Sequence, residues 1–392
     1  MKQIVYFIIS IIIVACSTER TEYVARVKPI TLSANEICNK NKVADFIFDM
    51  EELKKDSLIN QSRQVFLKGI DAYKNKKQLA EATELFKQSI LIYPDAKTYY
   101  ELGNALLDNH SNTSNIRHID SVYEVAEHLG FKPLAQLYYK KACVKNIEET
   151  KSNEKWSVIY NLQSALREGF TDTALFYSDK HLNSIVKNNS FIQMMIEYNA
   201  GKFKNNTGGL FGVFAKSFTP SGTFEVSAND VELKNYNTSI SYDFVKFIPE
   251  MQNTSFGRDV SHDFYYVTKV AETPNYVALI YKSINFWGAE MQPVITKIST
   301  YNKEGSLISS KIFAAQFSAE KIKTGKFENN TIYIEDYKRI WKQAIDKVPF
   351  EENEVERLEL IAKAVYAIDE SGKIIEKSVP ANYSDSSIYA KQ

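Results

Sequence analysis

Cysteine is scarce in this sequence, which has only Cys16, Cys38 and Cys143 among its 392 residues. None belongs to a CxxC pair, and the five histidines are scattered along the chain. Structural metal sites draw on cysteine and histidine at short, regular spacings. We therefore predict no metal site from the sequence, and no residue pattern in it points to a cofactor.

A net charge is also absent, because Lys plus Arg and Asp plus Glu number 48 each. Nucleic acids attract proteins that carry an excess or a patch of basic residues. The balanced composition therefore argues against nucleic acid as a partner. Glycine (14) and proline (9) are few, whereas tyrosine (24) and phenylalanine (23) are abundant, which favours sheets and closely packed helices over flexible linkers.

The familiar catalytic motifs are missing as well. The sequence has no G-x-S-x-G elbow, no H-E-x-x-H zinc motif, no Walker loop and no Rossmann glycine triplet. The glycine-rich stretch 208–212 lacks the lysine of a phosphate loop, and we interpret it as a flexible entry to the segment that follows. His262 and Asp263 are adjacent, and adjacent residues on a strand point to opposite faces. We expect the protein not to be an enzyme.

The chain does have a long apolar run at its start. Lys2 precedes the twelve residues from Ile4 to Ala15, which are interrupted only by Ser10. Twelve helical residues span about 18 Å, well short of the roughly 30 Å of a bilayer core. We interpret residues 1–15 as a secretory signal.

The end of this run, Ile13-Val14-Ala15-Cys16, resembles the lipobox of bacterial lipoproteins. The resemblance implies that Cys16 receives fatty acyl chains such as palmitate and becomes the first residue of the mature protein. Ser17 is not the acidic residue that favours inner-membrane retention in such proteins, so we expect an outer-membrane anchor, facing either the periplasm or the outside. A plain cleaved signal and a buried or membrane helix are the alternatives.

A helical repeat pattern follows the predicted tether and docking segment, residues 16–56. The segments FLKGIDAYKN (66–75) and YELGNALLDN (100–109) lie 34 residues apart, so that Gly69 aligns with Gly103. Paired helices with this period are typical of tetratricopeptide repeats, and residues 57–204 resemble such a domain. The resemblance implies a helical stack with a concave, peptide-sized groove.

The first helix of each repeat lines the groove in that family. We therefore predict that Asn75, Asn104 and Tyr138 contact a protein or peptide partner. The closing segment of the repeats carries Asp179, which we expect to cap a helix. Cys143 follows Tyr-Lys-Lys-Ala, where a small apolar residue suits a helix interface, and we favour unpaired cysteines at 38 and 143 over a disulfide.

The pattern changes after Gly201 to runs in which apolar and polar residues alternate. These runs are GTFEVS, ISYDFVKF, DFYYVTKV, NYVALIYKSI, PVITKISTY, LISSKIF, NTIYIEDY, LIAKAVYAI and KIIEKS. Such alternation in β-branched and aromatic residues predicts antiparallel strands. Residues 336–359 fit either a helix or a long hairpin, and we favour strands. We expect residues 205–392 to form an antiparallel meander, either a curved sheet or a partly closed barrel, which is similar to C-terminal domains of Bacteroidota lipoproteins.

The predicted fold class is therefore α+β, with a tetratricopeptide-like helical stack followed by a β-meander. The predicted function is that of a membrane-anchored scaffold in the cell envelope, which binds a protein or peptide through its helical repeats. The alternative is recognition of a glycan or small ligand by the sheet, with Phe286 and Trp287 stacking on it. A sheet-core or loop-anchor role is the simpler interpretation of these two aromatic residues. The sequence specifies neither the partner nor the oligomeric state.

Lipidation can be tested by metabolic labelling with a fatty acid. We expect label in the natural protein and none in Cys16→Ser, because the sulfur of Cys16 is the atom to which the lipid group is attached. Buried acyl methylenes contribute about 0.8 kcal/mol each, so the natural protein should also remain with the membrane fraction. Equal absence of label from both proteins would contradict the lipoprotein interpretation.

Overall fold

A computed structural model describes residues 32–50, 55–110, 116–149, 155–203, 209–232, 238–253, 257–258, 261–286, 293–348 and 352–378. The predicted signal 1–15, Cys16, the rest of the tether up to residue 31, and Trp287 lie outside these ranges. In the described part of the chain, no helix is both long enough and apolar enough to span a bilayer.

The described residues from 40 to 216 are mainly helical. The helices are α1 (Lys40–Met50), α2 (Lys55–Ile70), α3 (Leu79–Ile92), α4 (Ala96–Asp108), α5 (Ile116–His128), α6 (Leu134–Glu148), α7 (Trp156–Arg167), the short α8 (Leu175–Ser178), α9 (Asn189–Asn199) and α10 (Gly209–Lys216). A π-helical turn, Asp71–Asn75, continues α2. From α2 to α7 each helix packs against the next one in the chain.

The two glycines that the 34-residue period aligns have the same packing role. A Cβ atom on Gly69 would lie 2.6 Å from the ring of Phe86 on the next helix. A Cβ atom on Gly103 would lie 2.5 Å from the ring of Tyr123, again on the next helix. Both distances are shorter than van der Waals contact, so glycine is what allows each helix pair to approach this closely.

The second half of the chain forms an open antiparallel sheet. Its strands are β1 (Thr223–Val226), β4 (His262–Glu272), β5 (Val277–Asn285), β6 (Val294–Tyr301), β7 (Leu307–Gln316), β8 (Lys321–Glu328), β9 (Thr331–Trp341), β10 (Val355–Ile368) and β11 (Ile374–Lys377), while β2 (Gln252–Asn253) and β3 (Gly257–Arg258) form a separate ribbon. The order is β11-β10-β9-β8-β7-β6-β5-β4, with β1 beside β8. The α+β class and the meander are thus confirmed, with the sheet open and not closed into a barrel.

The sheet divides between β7 and β8. These strands pair only near their shared turn, at Ala315 with Lys323 and at Gln316 with Ile322. Farther along, β8 pairs with β1 instead. The residues just before β1 reach the edge of β4, where the N–H of Lys269 donates to the carbonyl of Thr219 over 3.0 Å. The chain around β1 therefore connects the two parts of the sheet.

Two local predictions were wrong and one is confirmed. ISYDFVKF was predicted as a strand, but Tyr242–Phe247 is a 3₁₀-helix, which begins where the Ser241 side chain accepts a hydrogen bond from the N–H of Asp243. Residues 208–212 were expected to be a flexible entry, yet α10 begins at Gly209 because Phe211 and Phe214 pack on the sheet half. The segment 336–359 does continue as strands, with β9 ending at Trp341 and β10 beginning at Val355.

The helices and the sheet share one hydrophobic core. Phe66, Phe86 and Tyr100 from the helices belong to the same buried cluster as Tyr242 and Phe264 from the second half. Among the described residues, the interior of the sheet has a separate, smaller core, which includes Ile298, Phe313, Ile332 and Ile374. The two halves of the chain are therefore packed together and not merely linked.

Three charged side chains, those of Arg63, Lys97 and Asp263, are buried where the halves meet, and that of Asp95 beside them is 22% exposed. Arg63 on α2 makes a bidentate pair with Asp95, with Nη1–Oδ1 at 3.0 Å and Nη2–Oδ2 at 2.6 Å. Lys97 on α4 donates to Oδ1 of Asp263 on β4 over 2.5 Å, and Arg63 Nη1 lies 3.4 Å from Oδ2 of the same carboxylate. Burial by itself would raise the pKa of Asp263, but Lys97 and Arg63 hold it below its usual value. We call these four residues the charge cluster.

Asp263→Asn tests the charge cluster. It leaves Lys97 buried without its carboxylate, so the free energy of unfolding should fall by about 3–5 kcal/mol. Urea denaturation followed by circular dichroism measures this fall. Asp346→Asn, on an exposed turn residue, is the matched control and should leave the curve unchanged. A change below about 1 kcal/mol for Asp263→Asn would mean that the cluster does not hold the halves together.

Candidate functional site

The face of α4 that was predicted to line a groove is covered by the sheet half. Nearly every residue of α4 is buried, on all sides of the helix. Lys97 Nζ lies 4.6 Å from the ring centre of Tyr242 in the 3₁₀-helix, and Tyr100 is hydrogen-bonded to Asp243 there. The inner surface of the helices is therefore occupied by the chain itself.

This packing contradicts the prediction that Asn104 contacts a partner. Asn104 is 4% exposed. Its Nδ2 donates to Glu101 over 3.3 Å, and its Oδ1 accepts from the hydroxyl of Tyr123 over 2.9 Å. Asn75 is partly buried and its Nδ2 donates to Asp71 over 2.9 Å, so it stabilises the π-helical turn. In a repeat domain without the sheet half, the inner face of the helices would be exposed to solvent. In this protein the sheet half covers it.

Further buried polar groups lie along the contact between the helices and the 3₁₀-helix. Lys74 Nζ lies 3.0 Å from Oε2 of the buried Glu101. Burial and the nearby charge of Glu101 raise the pKa of Asp243. The Tyr73 hydroxyl donates to Asp108 over 2.5 Å at the rim of an open cavity of about 420 Å³. These polar interactions attach the 3₁₀-helix to the helical half of the chain, and their role is therefore structural.

Tyr138 is the predicted contact that stays accessible. It is partly exposed on α6, and its hydroxyl donates to Glu127 over 2.7 Å. Burial and the hydrogen bond to Glu127 raise the pKa of Tyr138. α6 packs against α7, the helix that carries Tyr160. Trp156 and Tyr160 are one turn apart on α7 and are 68% and 64% exposed. We call Tyr138, Trp156 and Tyr160 the aromatic surface.

Exposed apolar side chains continue on the next helix. α9 packs against α7, and it exposes Ile192 and Ile196, which lie one turn apart. Tyr177 on α8 is exposed, and its ring centre lies 5.5 Å from that of Phe191 on α9. The last helices of the stack therefore carry several exposed large apolar side chains, which is a feature of interaction surfaces when the side chains are contiguous.

A cluster with metal-binding side chains lies under the same helices. Cys143 on α6, Asp179 at the end of α8, and His181 each offer a ligand atom, and these atoms lie within 4.8 Å of one another. His181 Nδ1 is 2.9 Å from Asp179 Oδ1, and Cys143 Sγ is 3.8 Å from Asp179 Oδ2. Burial raises the pKa of the Cys143 thiol well above its usual range. Folding joins residues 36 positions apart, so their spacing in the sequence gave no signal.

Asp179 holds this cluster together. Its Oδ1 accepts from the N–H of His181 over 2.8 Å, and Oδ2 accepts from the hydroxyl of Tyr139. The expected capping role is thus partly right, because Asp179 ends α8 and fixes the next turn instead of starting a helix. Burial would raise the pKa of Asp179, but the hydrogen bonds from His181 and Tyr139 hold it far below its usual value.

A second accessible site lies in the cleft where β7 leaves β8. It is a cavity of about 400 Å³ whose lining residues are Lys297, Ser310, Lys311, Ile312, Lys323, Ile334, Asp336, Ala364 and Tyr366. Lys323 pairs with Asp336 at 2.6 Å, and Lys297 pairs with Glu250. The Lys311 ammonium lies 4.5 Å from the ring centre of Tyr366, and no carboxylate in the described ranges pairs with it. Of the three lysines that line this cleft, two are therefore paired with carboxylates, and Lys311 supplies the uncompensated charge.

Of the two aromatic residues predicted to stack on a ligand, the structure describes Phe286. Phe286 is fully buried, and its carbonyl accepts a hydrogen bond from Gln64 on α2 over 3.0 Å. Phe286 therefore anchors the sheet to the helices, which confirms the simpler interpretation for this residue and contradicts its role as an exposed contact. Trp287 lies outside the described residues.

The cysteines in the described part are unpaired, as predicted. Cys143 is buried, and Cys38 is partly buried with its Sγ 3.4 Å from Nδ1 of His118. His262 and Asp263 engage different partners, since His262 Nδ1 contacts Ser261 Oγ at 2.7 Å whereas Asp263 belongs to the charge cluster.

Comparison with known protein families, curated proteins and solved structures finds no match to this chain. The function of the protein is therefore inferred from the geometry of the described residues and from the sequence motifs.

Proposed function

We propose that this protein is a lipid-anchored binding protein of the bacterial outer membrane. In this proposal Cys16 carries the anchor, residues 57–204 form a tetratricopeptide-like stack, and residues 205–392 form a sheet domain packed against it. The equivalent contacts of Gly69 and Gly103 with aromatic rings on the next helix support the repeat assignment.

The partner in this proposal is another protein of the envelope, and it contacts the aromatic surface. The observation that carries the proposal is the exposure of Trp156 and Tyr160 one turn apart on α7. Tryptophan and tyrosine contribute most of the binding energy in many protein interfaces, because each buries a large area while losing little side-chain entropy. Ile192 and Ile196 on the adjacent helix extend the same contact area. The inner groove is not used, because the sheet half fills it.

Trp156→Ala combined with Tyr160→Ala tests this surface. Cross-linking in the native membrane, followed by mass spectrometry, identifies the partner of the natural protein. We expect the double variant to lose at least about tenfold in affinity for that partner, since a residue of the hot-spot kind contributes about 2 kcal/mol or more.

Phe48→Ala provides the matched control. Phe48 is 75% exposed on α1 and belongs to a different surface, so its variant should retain the partner. Equal binding by the double variant and the natural protein, with both folded, would rule out the aromatic surface as the interface.

The lysine-rich cleft favours a second function, recognition of a small anionic ligand by the sheet half. Its volume of about 400 Å³ fits a single sugar or phosphate-sized ligand. Lys311 would supply charge and Tyr366 a ring face, which together recognise an acidic sugar or a phosphorylated molecule. The ligand contacts in this second proposal are Lys311 and Tyr366, which line the cavity, and not Phe286, which is buried.

Lys311→Gln tests the cleft with glucuronate, inorganic phosphate and glucose as probes in calorimetric titrations. We expect the two anions to bind the natural protein and to bind the variant at least about tenfold more weakly, because the unpaired cation is lost. Lys338→Gln, on the exposed part of β9, is the control and should bind as the natural protein does. Equal binding of glucose, or no effect of Lys311→Gln, would contradict an anion site.

A further inference from the structure

The cluster of Cys143, Asp179 and His181 has the chemistry of a metal site. Thiolate, carboxylate and imidazole are the three side-chain types that bind Zn²⁺ in proteins. Tetrahedral sites with bonds of about 2.0–2.3 Å place their donor atoms about 3.4–3.6 Å apart. The Cys143 Sγ to Asp179 Oδ2 distance of 3.8 Å is close to this separation. The His181 Nδ1 to Asp179 Oδ1 distance of 2.9 Å would need to open by about half an ångström.

The surroundings of the cluster would hold these ligands in place. Tyr139 donates to Asp179, which is the kind of hydrogen bond that orients a ligating carboxylate. Asn146 on α6 donates to the carbonyl of His181 over 2.7 Å and so fixes the position of the histidine. The rings of Phe170 and Phe176 stack with Tyr139 and exclude water from one side.

The cluster is also open to entry from solvent on one side. The side chains of Asp179 and His181 are 14% and 11% exposed, whereas Cys143 is buried behind them. A water molecule can enter from this side and supply a fourth ligand.

We propose that Cys143, Asp179 and His181 bind one thiophilic divalent cation of the Zn²⁺ type. On binding, the Cys143 thiol loses its proton to solvent and the thiolate bonds to the metal. The imidazole binds through the Nδ1 lone pair with its proton on Nε2, and the Asp179 carboxylate completes the three protein ligands. The metal would join α6 to the turn after α8 and so rigidify the end of the helical stack.

A cobalt titration of the full chain tests the proposal. Co²⁺ bound to a thiolate gives a near-ultraviolet charge-transfer band, which reports the Co–S bond itself. We expect the natural protein to develop this band with one equivalent of Co²⁺ and to lose it when Zn²⁺ is added. A rise in thermal midpoint with Zn²⁺ should accompany binding, because a ligand that binds only the folded state stabilises it.

Cys38→Ser is the matched control, because Cys38 is the other free cysteine in the described part and also lies beside a histidine. It should retain the band and the thermal shift, whereas Cys143→Ser should lose both. His181→Gln, at a partly exposed position that tolerates a polar side chain, should bind at least about tenfold more weakly.

If Cys143→Ser does not fold, His181→Gln and Cys38→Ser still decide the outcome. Absence of the band in the natural protein, or its loss in Cys38→Ser with retention in His181→Gln, would overturn the proposal.

Discussion

The charge cluster of Arg63, Asp95, Lys97 and Asp263 is the interaction on which the arrangement of the two halves depends. Two cations and the Asp263 carboxylate are buried together beside the partly exposed Asp95, so each charge is compensated only while α2, α4 and β4 keep their relative positions. A buried pair of this kind adds less to stability than apolar side chains of equal volume would, but separating it is costly. Its main effect is therefore to select one way of docking the helices on the sheet.

That docking decides which surfaces remain for binding. The sheet half covers the inner face of the helices through the 3₁₀-helix Tyr242–Phe247, and Asn104 becomes part of the interior. Trp156, Tyr160, Ile192 and Ile196 remain exposed on α7 and α9, away from this contact. The split between β7 and β8 leaves the lysine-lined cleft within the sheet itself. The docking of the halves therefore moves the candidate surface of the helices from the inner face to α7 and α9, whereas the cleft follows from the pairing of the strands.

Sequence patterns were most reliable where a residue's role is local. The alternating runs that became β1, β4 to β7 and β9 to β11 predicted strands correctly, because alternation reports which face of one strand is buried. No run was assigned to β8, although it is a strand of the same sheet. The stretch ISYDFVKF also alternates, but Ser241 caps a 3₁₀-helix whose aromatic residues all enter the shared core. The exposure of Phe286 was predicted wrongly because its position depends on Gln64, 222 residues earlier on α2. The exposure of Asn104 was predicted wrongly because its side chain bonds to Glu101 and to Tyr123 on the next helix.

The sequence by itself determined most of the helices and strands, because these follow from short-range hydrophobic period and from local residue chemistry. It favoured unpaired cysteines, but it placed no strand at β8 and no 3₁₀-helix at Tyr242–Phe247. It also supplied the lipobox pattern on which the proposed anchor rests. Only the tertiary structure decided that the inner face is filled, that Trp156 and Tyr160 remain exposed, and that Cys143 meets Asp179 and His181. Those outcomes require segments distant in the chain to converge, and burial and ligand geometry exist only after that convergence.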